Sequence, residues 1–386
     1  MTDADRPTEG GAGGARADED EAVLEGPTPL RAAVGADGPR AAAGAFAGRL
    51  TTTERAVGGT VAVTTALVVA MVLFGLLSVT YLFYLLSLAG VYMLVAMGLN
   101  VQWGYAGIIN FSVAAFFGIG AYAAALATGD NSPLAGGLSP AVGLGVAVAG
   151  ALVLALLIGL PTVTLRGDYL AIATLGLAEV VRLLFRSERQ WTRGTAGLYG
   201  IPEIYDGLPV LSGVTGRVGT GAVNAVLVGV AVLAVWLWLR RVHRSPWGRV
   251  LRLIRTDEDL AAALGKDTRA FRLQAFLVGS VVMAVAGVLY AHVIAIVGPG
   301  LLDPIQTFYV WIAVIIGGTG SDRGAMVGAL LIVAIQQGTR ELPAAGSLRL
   351  LLVGALIILV IHVRPRGALP PQRERIWPGA GGEADE

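Results

Sequence analysis

The amino-acid sequence predicts an all-α fold, a polytopic integral membrane helical bundle with about ten transmembrane helices (8–10 fit the pattern) and with both termini cytoplasmic. The first observation is composition, since 55% of the 386 residues are hydrophobic and 14% are charged, against about 25% charged in soluble domains. The second is a mean hydropathy of +0.70. The third is the length of the uncharged stretches, because no Asp, Glu, Lys or Arg occurs between Ala56 and Gly129.

Uncharged apolar stretches of roughly 20 residues are long enough to cross the hydrocarbon core as helices. Loops rich in Arg and Lys stay on the cytoplasmic side, which assigns the arginine-rich segment 240–272 to the cytoplasm. An even number of crossings on each side of that segment then places both termini inside. The predicted spans are 56–78, 81–100, 107–127, 138–163, 169–186, 218–239, 273–294, 304–321, 324–339 and 347–363.

The predicted span 169–186 departs from this charge rule. It is needed for an even number of crossings, yet it leaves Arg186, Arg189 and Arg193 on the outer side. It also contains charged residues, and charged side chains within a membrane usually face a cavity or the interior of the bundle. We therefore predict a short, tilted or broken helix at this place, lining a cavity.

Three regions follow from the composition. Residues 1–55 are rich in Gly, Ala, Asp and Glu without apolar periodicity, so they are predicted to form a disordered acidic cytoplasmic tail, not a signal peptide. Residues 56–363 are the transmembrane domain, with 240–272 as its large cytoplasmic loop. Residues 364–386 are predicted to be a cytoplasmic C-terminal tail.

Residue types exclude several kinds of chemistry. The chain has no Cys and only three His, so neither a metal site nor another cofactor bound by this chain is expected. The phosphate-binding loop Gly-x-x-x-x-Gly-Lys-Ser/Thr is missing, because Gly265-Lys266 is followed by Asp267. The chain is therefore predicted to hydrolyse no ATP. Its expected surroundings are the lipid bilayer and other proteins, not nucleic acid.

A polar and aromatic segment interrupts the apolar run between residues 104 and 122. Asn110 and Ser112 can offer hydrogen bonds to a zwitterion, and two aromatic rings can offer an apolar wall. A helix that begins after a break at Gly107 would also point free backbone N–H groups at a carboxylate. Each of these residues can equally serve in helix packing. The candidates for a translocation pathway are Gly104, Gly107, Asn110, Ser112, Phe116 and Tyr122.

Two later segments supply further pathway candidates. Asp168 opens the fifth predicted span, where it can also cap the helix N-terminus. Glu179 and Arg182 are spaced i, i+3 on one helical face and can form an ion pair. The glycines of residues 317–320 predict either a helix break near a pathway or close helix packing. The candidates in these segments are Asp168, Thr174, Glu179, Gly317 and Gly318.

The loop Ser245–Gly265 is the most informative segment. Arginines recur every three residues in its first half, and acidic residues precede an Ala-rich turn that ends at Gly265. This pattern predicts a short cytoplasmic helical pair with Gly265 as its C-terminal cap. A small alanine face can insert into a groove of another protein, while basic residues beside a span can also contact lipid headgroups. The residues expected to make the protein contact are Arg249, Arg252, Arg255, Asp259, Ala261, Ala262 and Gly265.

This loop carries a family resemblance. Residues 259–265 are similar to the Glu-Ala-Ala-x-x-x-Gly coupling loop by which ABC importer permeases engage their ATPase subunits, with Asp in place of Glu and Leu in place of the first Ala. Several segments resemble, in order and spacing, the LivM-type permease of branched-chain amino-acid ABC importers. They are Gly104–Tyr122, Leu165–Arg182, Trp191–Pro202, Ser245–Gly265 and Ile316–Ser321.

The resemblance implies a permease subunit in the cell membrane, with coupling to the ATPases through the loop residues named above. Two ABC ATPase subunits (LivG/LivF-like) would use the ATP, a LivH-like second permease would complete the membrane core, and an extracytoplasmic substrate-binding protein would deliver leucine, isoleucine or valine. The chain departs from the family at Ser112-Val113, where a Gly-His pair is expected. Urea or short amides therefore stay open as the cargo.

Two other classes are weighed against this one. An ion-coupled secondary transporter normally keeps an acidic or His group at mid-membrane to bind the coupling ion. The central spans here lack such a group, and His292 and Asp303 lie near a span end. A membrane-embedded enzyme would need clustered His, Asp or Ser at catalytic spacing, and the sequence shows no such cluster.

Overall fold

The computed structural model describes residues 78–134, 136–162, 168–206, 216–340, 345–363 and 367–369. The predicted N-terminal tail lies outside these residues, as do all but the last residue of the predicted span 56–78 and most of the predicted C-terminal tail.

Helices dominate the described residues, as expected for apolar segments whose backbone groups must be satisfied within each segment. A π-helical turn, Asn100–Tyr105, continues the first helix. Two short strands, β1 (Leu198–Tyr199) and β2 (Ile296–Val297), pair antiparallel. The α-helices are α1 (Val79–Leu99), α2 (Val113–Thr128), α3 (Pro140–Thr162), α4 (Asp168–Ser187), α5 (Arg189–Thr192), α6 (Gly216–Arg244), α7 (Pro246–Thr256), α8 (Glu258–Ala263), α9 (Thr268–Ile294), α10 (Pro304–Gly317), α11 (Asp322–Gly338) and α12 (Ala345–Val363).

Four of the described helices are long and apolar enough to cross a membrane, namely α1 with its π-helical turn, α3, α6 and α9. Shorter apolar helices include α2, α10 and most of α12. Together they confirm the predicted class, an all-α membrane protein. The predicted total of ten crossings and the side on which the termini lie stay predictions.

The core of the described bundle lies where α2 crosses α9, with α1 and α3 packed beside them. At this crossing, a Cβ added to Gly120 would overlap the carbonyl oxygen of Ala284, and one added to Gly287 would overlap the carbonyl oxygen of Phe117. Small residues therefore bring the two backbones into contact, which is how helices gain packing energy when the surrounding lipid is itself apolar.

Replacement of Gly287 by alanine is expected to force α2 and α9 apart. The added methyl group would meet backbone, which cannot rotate away, and overpacking of this kind costs about 1–3 kcal/mol. A lower midpoint of thermal unfolding in detergent micelles measures the loss. Gly229 on α6 has open space around it, so Gly229→Ala is the control and should not lower the midpoint. Equal midpoints for the two variants would contradict the tight crossing.

Helix α4 is continuous, so the break predicted as one possibility for this segment is not present. Asp168 lies in its first turn, and Thr174 lies on its narrow buried face. The predicted ion pair is formed, because Arg182 Nε donates to Glu179 Oε2 at 2.7 Å. Arg182 also reaches the Asp303 carboxylate at 3.2 Å, which joins α4 to the start of α10.

Candidate functional site

Two interruptions of the helical backbone lie beside the helix pair α7–α8. The first separates α1 from α2, where the π-helical turn ends at Tyr105 and Gly107 has a φ of +70°. The second separates α10 from α11, where Gly318 and Gly320 have φ values of +114° and +82°. Glycine adopts such angles without steric cost. The predicted break at Gly107 is therefore present. At residues 317–320 the structure shows both features that were predicted as alternatives, a helix break at Gly318 and close packing at Gly317, where a Cβ would overlap the carbonyl oxygen of Gly324.

Residues 106–112, here called the break segment, depart from helical geometry. Side chains of neighbouring helices bind its backbone. The indole Nε1 of Trp311 donates to the Asn110 carbonyl oxygen at 2.9 Å, and the Phe111 N–H donates to Thr174 Oγ1 at 3.0 Å. Irregular backbone at membrane depth is tolerated where protein groups satisfy it in this way. Helices α10 and α4 thus hold the break segment in place.

The side chain of Asn110 is fully buried and lies at the centre of a hydrogen-bond network. Its Nδ2 donates to Gln102 Oε1 at 2.7 Å, and its Oδ1 accepts from the Ser112 N–H at 2.7 Å. Gln102 Nε2 continues the network to the Phe276 carbonyl oxygen at 2.8 Å. These bonds tie the break segment to both the π-helical turn and α9.

The N-terminus of α2 offers fewer free N–H groups than the sequence suggested. The Ala114 N–H donates to Thr307 Oγ1 at 3.0 Å, and the Ser112 N–H is taken by Asn110. A carboxylate could use these donors only after the side chains moved. The suggestion that this helix end faces a substrate carboxylate therefore does not describe this conformation, because two of the donors already have partners.

The structure encloses the predicted polar and aromatic pathway residues. Asn110, Ser112 and Phe116 have no exposed surface, and Tyr122 is 1% exposed. Their assignment to a translocation pathway stays a prediction, and a solute can reach them only if the helices separate. Other residues form the exposed surface beside the break segment.

An aromatic cluster, defined as Trp103, Phe111, Phe308 and Trp311, lies next to the break segment. The Phe111 ring lies flat against Trp311, with centroids 4.8 Å apart and planes at 12°. Phe308 lies 5.5 Å from Phe111 and is 42% exposed. The partly exposed surface next to the break is therefore apolar and aromatic.

A second network, here called the junction, joins the two breaks. It consists of Asn100, Gly104, His243, Arg255, Thr319 and Asp322. Asn100 Nδ2 donates to Asp322 Oδ1 at 2.8 Å, and Asp322 Oδ2 accepts from His243 Nδ1 at 3.0 Å. Asn100, His243 and Asp322 are all buried. The end of α1, the end of α6 and the start of α11 are thereby connected through one carboxylate.

Arg255 connects the junction to the helix pair α7–α8. Its guanidinium donates to the Gly104 carbonyl oxygen through Nη1 and to Thr319 Oγ1 through Nη2 at 3.3 Å. Its stem lies against Gly107, since a Cβ there would be 3.3 Å from Arg255 Cγ. One side chain at the end of α7 therefore touches both helix breaks. Burial lowers the pKa of the guanidinium, which nevertheless stays protonated at physiological pH.

The helix pair itself is held to α9. Trp247 Nε1 donates to Gln274 Oε1 at 2.8 Å, and the Arg272 guanidinium lies 3.4 Å from the Glu258 carboxylate. These two contacts come from α7 and α8 respectively. The pair thus lies against the first turns of α9.

Gly265 ends α8 as predicted. It has a φ of +74°, its N–H donates to the Ala262 carbonyl oxygen at 2.9 Å, and the Lys266 N–H donates to the Ala261 carbonyl oxygen at 3.1 Å. This pair of bonds is the Schellman motif, which favours glycine at that position. The predicted helical pair and its cap are confirmed, whereas the contact of this pair with another protein stays a prediction.

The residues expected to make that contact divide by exposure. Ala261 is buried and Arg252 is half-buried, whereas Arg255 is exposed as a residue although its guanidinium reaches the helix breaks. Leu260 and Leu264, which the prediction did not include, are 49% and 61% exposed. The expected contact residues that are exposed are Arg249, Arg255, Asp259, Ala262 and Gly265.

The pathway candidates divide as well. Gly104 and Gly107 contact Arg255, and Thr174 binds the break segment. Gly317 is the last residue of α10, and Gly318 begins the second break. The carboxylate of Glu179 pairs with Arg182 instead, and Asp168 is exposed. Residues that sequence reasoning did not single out are Asn100, Gln102, His243, Thr307, Trp311 and Asp322.

Apolar helices long enough to span a membrane, interrupted by two glycine breaks that contact a projecting helix pair, define a membrane permease subunit. The family model described as "branched-chain amino acid transport system / permease component" matches residues 81–361. The chain belongs to this family. It is a multi-pass protein of the cell membrane and a transport subunit of ABC importers.

Individual relatives agree. Over 311 residues the chain is 31% identical to the high-affinity branched-chain amino acid transport system permease protein LivM of Escherichia coli K12, covering 75% of this chain and 70% of the relative. A probable branched-chain amino acid transport permease protein LivM of Methanocaldococcus jannaschii is 29% identical, with 73% and 91% covered. The LivH permease protein of the same Escherichia coli transport system is 27% identical, with 75% and 95% covered. The LivM-type resemblance is confirmed. No solved structure matches the chain significantly.

Proposed function

We propose that the chain forms the translocation pathway for leucine, isoleucine and valine, together with a LivH-like second permease. The observation that carries the proposal is the contact of Arg255 with both helix breaks. A helix break is a place where a bundle can open without disrupting helical hydrogen bonds, and transporters place their sites at such interrupted helices. The helix pair α7–α8, which the partner ATPases would move, therefore contacts both helix breaks, where the bundle would open.

The ATPase subunits would bind the exposed face of α7–α8 and move the helix pair through this contact. Leu260 and Leu264 offer an apolar contact on this polar loop, and Arg249 offers a charge beside it. Closure of two ATPase subunits on ATP would shift the helix pair, and Arg255 would carry the shift to Gly104 and Thr319. The chain itself would bind no cofactor, because the ATP is used by the partners.

The cargo assignment rests on the relatives and on the surface beside the break. The relatives are named for branched-chain amino acids, whose side chains are aliphatic. The exposed Phe308 and half-buried Phe111 provide an apolar wall of matching character. Urea or a short amide would instead need unpaired polar groups, and the amide of Asn110 is already paired. An extracytoplasmic substrate-binding protein would deliver the cargo.

Competition between solutes tests the cargo. The importer is reconstituted from this chain, the second permease, the two ATPases and the binding protein, and ATP-driven uptake of labelled leucine is measured in liposomes. Excess isoleucine and valine are expected to suppress the signal, whereas excess urea and acetamide are not. Suppression by urea or acetamide alone would contradict the branched-chain assignment.

Replacement of Gly265 by aspartate is expected to reduce uptake to the level without ATP while insertion into the membrane is retained. A side chain at this positive φ costs about 1–2 kcal/mol, and the new negative charge is unfavourable at a helix C-terminus. Gly216, with a φ of +84° and open surroundings, lies at the far end of α6, so Gly216→Asp is the control. Equal uptake by the two variants would count against a coupling role for the loop.

A further inference from the structure

A cavity of about 530 Å³ opens at the end of α6, immediately before α7. It is lined by Leu237, Arg240, Arg241, Arg244 and Ser245. Three of these five residues are arginines, and all three come from the last two turns of one helix. The cavity is distinct from the junction, whose His243 points inward and is 3% exposed.

The arginines of this cavity have no acidic partner among the residues that the structure describes. Arg240 instead lies over the Trp236 ring, with its guanidinium carbon 5.5 Å from the ring centroid. Arg323, from the start of α11, approaches the same ring at 5.8 Å. Three positive charges from the end of α6 thus line one opening, and a fourth, that of Arg323, lies near the ring that Arg240 covers; this charge favours an anionic ligand.

The surface of α6 leading to the cavity is apolar. Val226, Val230, Leu233 and Leu237 are between 48% and 64% exposed. Their spacing of four, three and four residues places them on one helical face. The same face continues to Arg240, Arg241 and Arg244. An uninterrupted apolar stripe therefore runs into the arginine-lined cavity.

The length of that stripe matches half a bilayer. Leu237 lies eleven positions after Val226, which at a rise of about 1.5 Å per residue is roughly 16 Å. One leaflet contributes about half of the roughly 30 Å hydrocarbon core. A lipid lying along α6 would thus have its acyl chains on the stripe and its headgroup at the arginines.

We propose that this cavity binds the headgroup of an anionic phospholipid, with its phosphate held by Arg240, Arg241 and Arg244 and its acyl chains lying along Val226–Leu237. Arginine forks bind phosphate oxygens in pairs, and clusters of basic residues directly beside a membrane helix attract anionic headgroups. Free phosphate would share the arginines but would make no use of the apolar stripe. The stripe is what selects the lipid.

A bound headgroup would lie next to the coupling machinery. Ser245 lines the cavity and precedes the first residue of α7, and the Arg244 carbonyl oxygen accepts from Arg249 Nη1 at 3.3 Å. A bound lipid would therefore influence the position of α7. This consequence rests on the proposed function, whereas the binding itself does not.

Spin-labelled lipids test the binding without any transport assay. The assembled importer is placed in nanodiscs containing trace spin-labelled phosphatidylglycerol or phosphatidylcholine of identical acyl chains, and the immobilised fraction of each is measured. We expect an excess of immobilised phosphatidylglycerol. The triple variant Arg240→Gln, Arg241→Gln, Arg244→Gln is expected to reduce the ratio of the two immobilised fractions to about one. Because the variant lacks the phosphate-binding arginines, this ratio should also depend less on the salt concentration.

A triple variant of equal charge change serves as control. Arg186→Gln, Arg189→Gln, Arg193→Gln removes three arginines from α4, α5 and the adjoining turn, and it should keep the original ratio. The proposal would be overturned if the two immobilised fractions were equal in the wild type. It would also be overturned if only the control variant lost the preference for phosphatidylglycerol. If inorganic phosphate abolishes the preference, the site takes free phosphate instead. If the preference is present in the isolated chain but absent in the assembled importer, a partner protein covers the site and the lipid assignment is wrong.

Discussion

Replacement of Arg255 by alanine is expected to stop ATP-driven uptake while the importer still assembles and still hydrolyses ATP at its basal rate. The variant loses both donors, to Gly104 and to Thr319, so α7 can move without moving the breaks. Hydrogen bonds to charged groups contribute about 1.5–3 kcal/mol, and 1.4 kcal/mol is about tenfold. Uptake per ATP hydrolysed should therefore fall at least about tenfold in proteoliposomes.

Two further variants separate this role from simple loss of charge or fold. Arg255→Lys keeps the charge but cannot donate to both oxygens with one planar fork, so it should recover only part of the uptake. Arg269→Ala removes an exposed arginine at the start of α9 and should transport normally. A drop in uptake and in ATP hydrolysis by the same factor would mean that Arg255 serves assembly, not transmission.

Replacement of Asp322 by alanine is expected to destabilise the folded chain severely. Asp322 is 8% exposed, and it accepts from both Asn100 and His243, which are buried as well. Leaving a buried donor without its hydrogen-bond partner costs about 1–3 kcal/mol, and this variant would leave two such donors. Reduced yield of monodisperse protein and a lower unfolding midpoint in detergent measure the effect.

Asp322→Asn keeps one carbonyl acceptor and should lose less stability than the alanine variant. Asp206→Ala removes an exposed carboxylate whose bond is to a backbone N–H in a turn, that of Glu203, and should be nearly neutral. If Asp322→Ala unfolded at the same temperature as Asp206→Ala, the junction would contribute nothing to holding the two breaks together.

The sequence predicts those features that depend on neighbours along the chain. Uncharged stretches identify membrane helices, glycines predict the break at Gly107 and, as one of two alternatives, a break within 317–320, and the acidic and alanine pattern before Gly265 predicts the capped helix. Each follows from local backbone geometry or from the cost of charge in lipid. For this reason the class of protein and the helix pair could be recognised without a structure.

The junction could not be predicted in the same way. Asn100 and Asp322 are 222 positions apart, and only the packed bundle brings them together. A signal was present, since Asn100 and Gln102 are polar residues at the end of an apolar span, and such residues seldom lack a partner there. The predicted spans 304–321 and 324–339 leave Asp322 in a short loop, whereas the structure buries it at the start of α11.

The inward turn of Arg255 is a second example. Its spacing with Arg249 and Arg252 predicts a row of similar residues on one face, yet the three differ in what they touch. Arg255 stands at the last turn of α7, where Gly107 has no side chain that would crowd the Arg255 stem. Which of three equivalent arginines reaches the bundle depends on that tertiary gap, not on the loop sequence.

Leucine accumulation in proteoliposomes with and without the two ATPase subunits tests directly whether the partner ATPases drive the conformational change of the membrane helices. The binding protein, both permeases and internal ATP are supplied in each case, and a proton or sodium gradient is imposed in a parallel set. Uptake is expected only when ATPases and ATP are both present, and it should be indifferent to the gradient. Accumulation driven by an ion gradient in vesicles without the ATPase subunits would contradict the mechanism.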